Sequence, residues 1–300
     1  MARDPKTILP TGKKSAKRHL APRAGRGRPA IGRAGEGELQ HRNAHEAAPH
    51  PDLLPASGEK EPSALRGGRL GSNGKESVAL YRLMAWLSPA YPVGAFSYSG
   101  GIEWAVEAGE IANAGTLKNW IVSTLTEGGC FCDAVFFIHT HVAVSRNDSE
   151  ALRAIAELAA AFAPSKERHL ETTAQGRAFI EATRAAWPCD ALETLAIAWG
   201  GPVAYPVAVA VACAGHGIAL EQALSAYLHA VAANQISAGV RLIPLGQTDG
   251  LHVLAALEPT IAVTAERALK TPLEEIGSAT LRADIASMKH ETQYTRLFRS

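Results

Sequence analysis

The sequence predicts an all-α fold: a single helical-bundle-like domain of about ten helices that follows a disordered N-terminal extension. Three observations favour this fold class. From Glu76 onward, apolar residues recur at the three- and four-residue spacing of helices. Alternation of β-branched residues is confined to residues 207–211, where a high alanine content favours helix. Short segments with proline, glycine or helix-capping residues separate the helical patterns.

The first element is an extension, residues 1–75, that lacks aromatic residues and holds eight of the 17 prolines and eleven of the 27 glycines. It cannot bury enough apolar surface to offset its chain entropy, so we expect it to be disordered. Residues 1–40 carry ten Lys and Arg against three acidic residues, a net charge of +7. We favour a solvated extension without a binding role. The alternatives are a tail that binds nucleic acid or an acidic surface, and an Arg-rich transit peptide.

Composition excludes several classes of protein. Because the whole chain carries +1, residues 41–300 carry −6, which argues against nucleic acid as the main partner. Four cysteines do not make a disulfide framework, and we expect a reducing cytoplasm. No apolar run approaches the roughly 18 residues that span a membrane, and the N-terminus lacks the apolar core of a signal peptide. The sequence therefore predicts a cytoplasmic protein without a membrane or nucleic-acid partner.

A helix that carries Leu80 and Leu87 on its apolar side leads into a loop rich in proline, glycine and aromatic residues, SPAYPVGAFSYSGGIEW at 88–104. Its prolines fix φ, and its glycines, Gly101 among them, permit turns or a close approach of another backbone. A rigid scaffold often presents functional residues on such a loop. A corner of the core, in which the aromatic side chains only fill space, is the other interpretation.

Further helices are predicted from periodicity and from their boundary residues. Thr116, the 147–149 segment, Ser165 and Asp190 are expected N-caps, and the two glycines after Glu127 end one helix. The helices are expected after Thr116 and at about 133–144, 150–162, 166–186, 191–199, 207–214, 220–240 and 249–269.

The sequence departs from three known catalytic or phosphate-binding motifs. Ser97 and Ser99 do not satisfy Gly-x-Ser-x-Gly. The zinc-protease pattern that starts at His290 has Tyr294 in place of the second histidine. Residues 246–250 lack the Lys-Ser/Thr of a phosphate loop, and Thr248 or Asp249 is better explained as the cap of the next helix.

Two cysteines and two histidines are candidate metal ligands: Cys130, Cys132, His139 and His141. Cysteine and histidine suit Zn²⁺ or Ni²⁺, and Cys132 and His139 share one face of a helix. Within each pair, however, the residues are too close in sequence to face the same way on a helix. Burial of the cysteines as small apolar residues is the preferred interpretation, and a metal-dependent enzyme stays an alternative.

Two features suggest contact with a partner protein. Arg241 stands among apolar residues, so it either bonds the last carbonyls of its own helix or anchors an acidic partner. The tail, residues 282–300, mixes basic residues with isolated apolar and aromatic ones. Such a tail either orders against a partner or forms a last helix that packs on its own domain.

Three stretches taken together are similar to the urease accessory protein UreF family. They are LSPAYPVGAFSYS at 87–99 with Glu103, RLIPLGQTDG at 241–250, and DIASMKHETQYTRLFR at 284–299, with a weaker match, AQGR, at 174–177. The resemblance covers about residues 78–300 in the order of the family. Cys130, Cys132 and the basic N-terminal extension look peculiar to this chain.

The resemblance implies an all-α homodimer without catalytic activity or a cofactor of its own. Such proteins bind a UreD/UreH-type scaffold and recruit the nickel-carrying UreG-type GTPase, so that nickel reaches apo-urease, and nickel and GTP are handled by the partner proteins. The implied regions are an extension (1–75), a helical domain (76–281) and a partner-binding tail (282–300). The implied partner-binding residues are Tyr98, Glu103, Arg241, Gln247, Asp249, His290, Tyr294, Arg296, Phe298 and Arg299.

Overall fold

A computed structural model describes residues 72–300 of the chain. These residues form α-helices joined by short loops and contain no β-strand, so the all-α prediction is confirmed. The helices are α1 Ser72–Trp86, α2 Ile102–Glu107, α3 Ala114–Glu127, α4 Gly129–Ser145, α5 Ser149–Ala161, α6 Lys166–Ala186, α7 Asp190–Ala198, α8 Tyr205–Gly215, α9 Leu220–Leu242, α10 Gln247–Ala268 and α11 Leu281–His290. Single 3₁₀ turns occupy Ala95–Ser97 and Leu273–Glu275.

Two of the predicted N-caps are confirmed by side-chain hydrogen bonds. Asp148 and Ser165 accept main-chain N–H groups at the starts of α5 and α6. At α3 the N-cap is Asn113 instead of the predicted Thr116, which lies three residues later and completes a capping box with it. Asn113 Oδ1 accepts from the Thr116 N–H at 3.0 Å, and Thr116 Oγ1 accepts from the Asn113 N–H at 3.1 Å. The reciprocal bonds satisfy two N–H groups that a helix end leaves free.

Other boundaries differ from the prediction. Residues 72–75, predicted to be disordered, form the first turn of α1, and the rest of the predicted extension, residues 1–71, lies outside the described residues. α4 begins at Gly129, directly after the chain turns at Gly128. Glycine has no side chain that would interfere with this break between α3 and α4. At α7 the N-cap is Cys189, and the predicted cap Asp190 is the first helical residue.

The core is organised around α8, in which every residue from Pro206 to Cys213 is buried. A helix that is apolar on all sides belongs in the interior, and α8 packs against α4, α6 and α7. One apolar cluster joins α3, α4, α8, α9 and α10, and a second joins α4, α5, α7 and α8. At Gly176 in α6, a Cβ would overlap the main-chain oxygen of Val203, so glycine permits the close approach of the chain that enters α8.

One stretch, Ala114–Ser145, is long and apolar enough to span a membrane by length and composition. The expectation that no apolar run reaches this length is therefore corrected. The stretch consists of α3 and α4, and 67% of its most apolar window is buried inside the protein. Burial of this kind is that of core helices in a folded domain.

The C-terminal residues belong to the same compact unit as the rest of the described chain. α11 packs against α2 and α6. Of the two arrangements left open for residues 282–300, the structure therefore contains a last helix packed on its own domain. We refer to residues 277–300 below as the C-terminal segment.

Candidate functional site

The end of the C-terminal segment returns to the proline- and glycine-rich loop that precedes α2. The Arg299 N–H donates to the Ser97 carbonyl at 2.8 Å. The main-chain oxygen of Ser300 accepts from the Ser99 N–H at 2.7 Å and from Ser99 Oγ at 2.6 Å. Main-chain and hydroxyl groups of the loop thus fix the position of the last residues.

A single buried carboxylate holds the preceding residues. Glu103 lies in the first turn of α2 and is only 6% exposed. Its Oε1 accepts from the Leu297 N–H at 2.6 Å and its Oε2 from the Phe298 N–H at 2.9 Å. Hydrogen bonds that involve an ionised acceptor are shorter and stronger than neutral ones. The two main-chain N–H groups, which lie outside any helix or strand, therefore bond to the Glu103 carboxylate.

The same carboxylate contacts His290, the last residue of α11, which is fully buried. His290 Nε2 lies 2.9 Å from Glu103 Oε2, and His290 Nδ1 lies 2.6 Å from Glu167 Oε2. Each ring nitrogen of His290 therefore lies within hydrogen-bond distance of one carboxylate. Arg296 Nη1 reaches Glu167 Oε1 at 2.9 Å and forms an ion pair with it. The two glutamates are thus bound by His290 and Arg296 of the C-terminal segment.

A second polar network lies next to the first and joins it through Ser300. Ser300 Oγ donates to Glu171 Oε2 at 3.1 Å, and Glu171 also pairs with Arg168 at 2.7 Å. Arg168 lies 3.8 Å from Asp133, and the Tyr227 hydroxyl donates to Asp133 at 3.4 Å. Burial raises the pKa of Asp133 to about 6, and the nearby Glu171 adds to this, whereas Arg168 opposes it.

Close backbone contact completes the attachment of α11. Gly101 has a φ of +87°, and a Cβ at this position would lie 2.9 Å from the Ser287 main-chain nitrogen. The sequence-based prediction of a close backbone approach at this loop is therefore confirmed at Gly101. Ser287 Oγ also hydrogen bonds Ser165 Oγ at 2.7 Å, which ties α11 to the start of α6.

Arg241 contacts the C-terminal segment from the end of α9. Its Nε donates to the Ser237 carbonyl at 3.2 Å, and its guanidinium carbon lies 4.3 Å from the centre of the Phe298 ring. The side chain is exposed, although Arg241 stands among apolar residues in the sequence. Its long stem lets the guanidinium reach the surface from the end of the helix. Arg241 bonds a carbonyl of its own helix, as one interpretation held, and it also covers Phe298 by a cation–π contact.

The side of α11 that faces away from the helical body is apolar and exposed. Leu281, Ile285 and Met288, spaced four and three residues apart, are 67%, 42% and 45% exposed. Residues at this spacing share one face of a helix. We refer to these three residues as the outer face of α11. Tyr294 and Leu297, farther along the segment, are also exposed.

Comparison with known proteins identifies the family. A sequence profile of UreF matches residues 111–258. The urease accessory protein UreF of Rhodopseudomonas palustris strain BisB5 is 59% identical over 226 residues, which cover 75% of this chain and 93% of that protein. UreF of Bradyrhizobium sp. strain ORS 278 is 58% identical over 235 residues, covering 78% and 98%. That of Bradyrhizobium sp. strain BTAi1 is 61% identical over 222 residues, covering 74% and 92%.

The chain belongs to the UreF family of urease accessory proteins. This family assignment confirms the resemblance found in the motifs at 87–99, 241–250 and 284–299. Two of these UreF-like motifs, the loop before α2 and the C-terminal segment, meet in the structure through the bonds of Ser99, Glu103 and His290. Arg241, from the third motif, contacts Phe298.

The ten partner-binding residues implied by the UreF resemblance divide by exposure. Tyr98, Glu103, His290 and Phe298 are buried, and the last three contact other parts of the chain itself. These buried residues position the C-terminal segment in this conformation, and their contact with a partner stays a prediction. The exposed or partly exposed ones are Arg241, Gln247, Asp249, Tyr294, Arg296 and Arg299.

Gln247 and Asp249 lie in the first turn of α10. The N-cap of α10 is Gly246, so the prediction that Thr248 or Asp249 is the cap is corrected. Asp249, three residues later, accepts from the Gly246 N–H through its Oδ2 at 2.9 Å. Sequence reasoning missed Glu167, Glu171 and Ser99 as partners of the C-terminal segment. Glu167 is an ordinary acidic residue in the first turn of a helix, where it favours the helix dipole, and no local pattern marks either glutamate as buried.

The candidate metal ligands do not converge. His139 Nε2 bonds the Thr271 carbonyl at 3.1 Å and His141 Nε2 the Ile218 carbonyl at 2.9 Å. All four cysteines are free, and burial raises the pKa of Cys130 to about 11 and of Cys132 to about 12. Within residues 72–300, no group of three or more metal-ligating side chains comes together. The alternative based on nucleic-acid binding rests on residues 1–40, which lie outside the described residues.

Proposed function

We propose that this chain acts in urease maturation by docking: it bridges a UreD/UreH-type scaffold and the nickel-carrying UreG-type GTPase during delivery of nickel to apo-urease. It works without a catalytic centre or cofactor of its own, in the cytoplasm and as a homodimer. Family membership supports the general role in urease maturation. The specific partners are those implied by the resemblance.

One observation carries the proposal: the outer face of α11 is apolar, exposed and held in a fixed position. Its three side chains, Leu281, Ile285 and Met288, point away from the body that holds α11 through His290 and Ser287. An apolar stripe on a helix is a common docking element for a partner protein. Because α11 is already ordered, binding there does not carry the entropy cost of folding a free segment.

The buried titratable groups support a docking role over a catalytic one. Glu103, Glu167 and Glu171 each accept hydrogen bonds from the C-terminal segment. His290 is enclosed between two of them and fully buried, so a substrate has no access to it. Their bonds hold a surface in place.

A second exposed apolar patch supports the proposed homodimer. On α1, Leu80, Tyr81 and Met84 are 58%, 67% and 68% exposed. Large apolar side chains clustered within little more than one helical turn are typical of protein interfaces. In an isologous dimer this patch would meet its own copy across a two-fold axis.

The test uses co-purification with the scaffold and GTPase subunits. The double substitution Ile285→Asp/Met288→Asp places two charges on the outer face of α11, and we expect it to abolish recovery of the scaffold. Leu251→Asp is the matched control, since Leu251 is an equally apolar and 64% exposed side chain on α10. Helical circular dichroism and Tm should stay unchanged in both.

Equal recovery of the scaffold by both variants would refute the docking role of α11. Point substitutions are sharper than deletion of residues 282–300. The deletion would also remove the partners of Glu103, Glu167 and Glu171, so a loss of recovery would not be specific to the outer face of α11.

A further inference from the structure

The C-terminal segment forms one wall of a cavity beside Cys130 and Cys132. The cavity has a volume of about 100 Å³. On the side of the body it is lined by Gly100, Cys130, Cys132, Asp133 and Arg168, among others. On the other side it is lined by Ser278, Thr280, Ala283, Asp284 and Ser287, all of them in the C-terminal segment. Cys132 Sγ also donates to the Gly277 carbonyl at 3.3 Å, so the start of the segment covers this thiol directly.

A larger cavity of about 240 Å³ lies next to the first. Both are lined by Gly100, Cys130, Asp133 and Arg168, which shows that they are neighbours across these side chains. The larger cavity has no lining residue from the C-terminal segment. Removal of the segment would therefore open the smaller cavity and leave the walls of the larger one in place.

The contacts of the C-terminal segment with the body are mainly polar. After Ile276, Ala286 is the single described residue that belongs to either apolar cluster of the core. The attachments include the bonds of His290, Arg296, Leu297, Phe298 and Ser300 to three glutamates. Polar contacts also hold the part of the segment nearest the cavity, through the bond of the Ala279 N–H to the Glu127 carbonyl, the Arg282–Glu110 ion pair and the Ser287–Ser165 hydrogen bond. The large apolar side chains of α11 point outward. Detachment would thus expose little of the apolar core, which holds most of the stability of a domain.

We infer that the C-terminal segment is a detachable cover: its release opens the cavity that contains Cys130, Cys132 and Asp133, while the helical body stays folded. Glu103 controls the release, because it bonds His290 and two main-chain N–H groups of the segment at once. Local opening of this kind is a low-energy excursion of a native protein when few apolar contacts break. The inference does not depend on the proposed function, since it concerns the isolated chain.

The four cysteines supply the test. Native protein is treated with N-ethylmaleimide, and the rate of modification of each cysteine is measured by mass spectrometry. Cys130 and Cys132 report opening of the cavity. Cys213, fully buried in α8 and absent from the linings of both cavities, reports unfolding of the body. In the unmodified chain we expect all three to react slowly.

The variant Glu103→Gln keeps the shape of the side chain and removes its charge. We expect at least tenfold faster modification of Cys130 and Cys132, a change of about 1.4 kcal/mol in the opening equilibrium, with no change at Cys213. The matched control is Glu157→Gln, in which an exposed pair with Arg153 inside α5 is lost, and it should leave all rates unchanged. Phe298→Ala alters the segment alone and serves as the second variant if Glu103→Gln does not fold. We expect the same pattern of rates from it.

Two outcomes would overturn the inference. Unchanged rates at Cys130 and Cys132 in Glu103→Gln and in Phe298→Ala would show that the segment does not control access to the cavity. A parallel increase at Cys213 would show that the segment and the body open only together.

Discussion

The attachment of α11 is most sharply probed by a pair of glycine substitutions in and after the loop before α2. Gly101→Ala and Gly109→Ala both introduce a Cβ at a positive φ, of +87° and +75° respectively. At Gly109 nothing lies within 4 Å of the new atom. At Gly101 the new atom would lie 2.9 Å from the Ser287 nitrogen and 3.3 Å from the Ala283 oxygen.

The two substitutions share one cost and differ in the other. A non-glycine residue in the left-handed region costs about 1–2 kcal/mol, and both variants carry this cost. Overpacking costs typically about 1–3 kcal/mol, and it applies to Gly101→Ala alone. The atoms in the way at Gly101 belong to the backbone of α11, so they cannot rotate aside. We therefore expect Gly101→Ala to weaken the docking of α11 by about 1–3 kcal/mol more than Gly109→Ala does.

Hydrogen exchange measured by mass spectrometry separates the two costs. Relative to Gly109→Ala, Gly101→Ala should speed exchange of the amides in α11 by about 5- to 150-fold, the equivalent of about 1–3 kcal/mol. Amides of α8, in the centre of the core, should exchange alike in both variants. Equal exchange of α11 in the two variants would refute the close packing of α11 on Gly101.

Three further predictions follow from single contacts. Arg241→Ala should lower recovery of the scaffold and GTPase in co-purification. Its Tm should change little, because the cation–π contact of Arg241 with Phe298 is exposed and worth about 0.5–1 kcal/mol; a large loss of Tm in a thermal melt would contradict this. Asp133 has a pKa of about 6 in the folded chain against 3.8 ordinarily, so the folded state binds more protons between these pH values and this residue lowers stability as pH rises through them. Asp133→Asn should therefore have a flatter stability–pH curve in denaturant unfolding, by up to about 3 kcal/mol between pH 4 and 7; parallel curves would contradict the raised pKa. Asn113→Ala should cost about 1 kcal/mol of unfolding free energy through loss of the capping box at α3, and Asn119→Ala, at an exposed position of the same helix, serves as the reference for a smaller effect.

The fold was predictable because its signals are local. Helix periodicity and the caps Asp148 and Ser165 need only a few neighbouring residues, and the structure confirms them. The errors at Thr116 and Asp190 are also local, since each lies within three residues of the true cap and has a suitable side chain. A position at the cap and one at the third residue are hard to separate without the backbone geometry.

The site was only partly predictable because its bonds join distant parts of the chain. Glu103 and His290, both implied by the resemblance, are 187 residues apart, and no pattern in either neighbourhood states that they meet. Glu167 was missed for the same reason, at a separation of 123 residues from His290. The close approach at Gly101 was foreseen, because glycine in a turn-rich loop carries a local signal of it.

The central claim, that the chain promotes urease maturation by docking through the outer face of α11, is tested most directly by the nickel content of urease. Urease would be purified from cells that express the chain with Ile285→Asp/Met288→Asp or with Leu251→Asp. We expect nickel-poor, inactive urease in the first case and normally loaded urease in the second. Fully loaded urease in both would contradict the account.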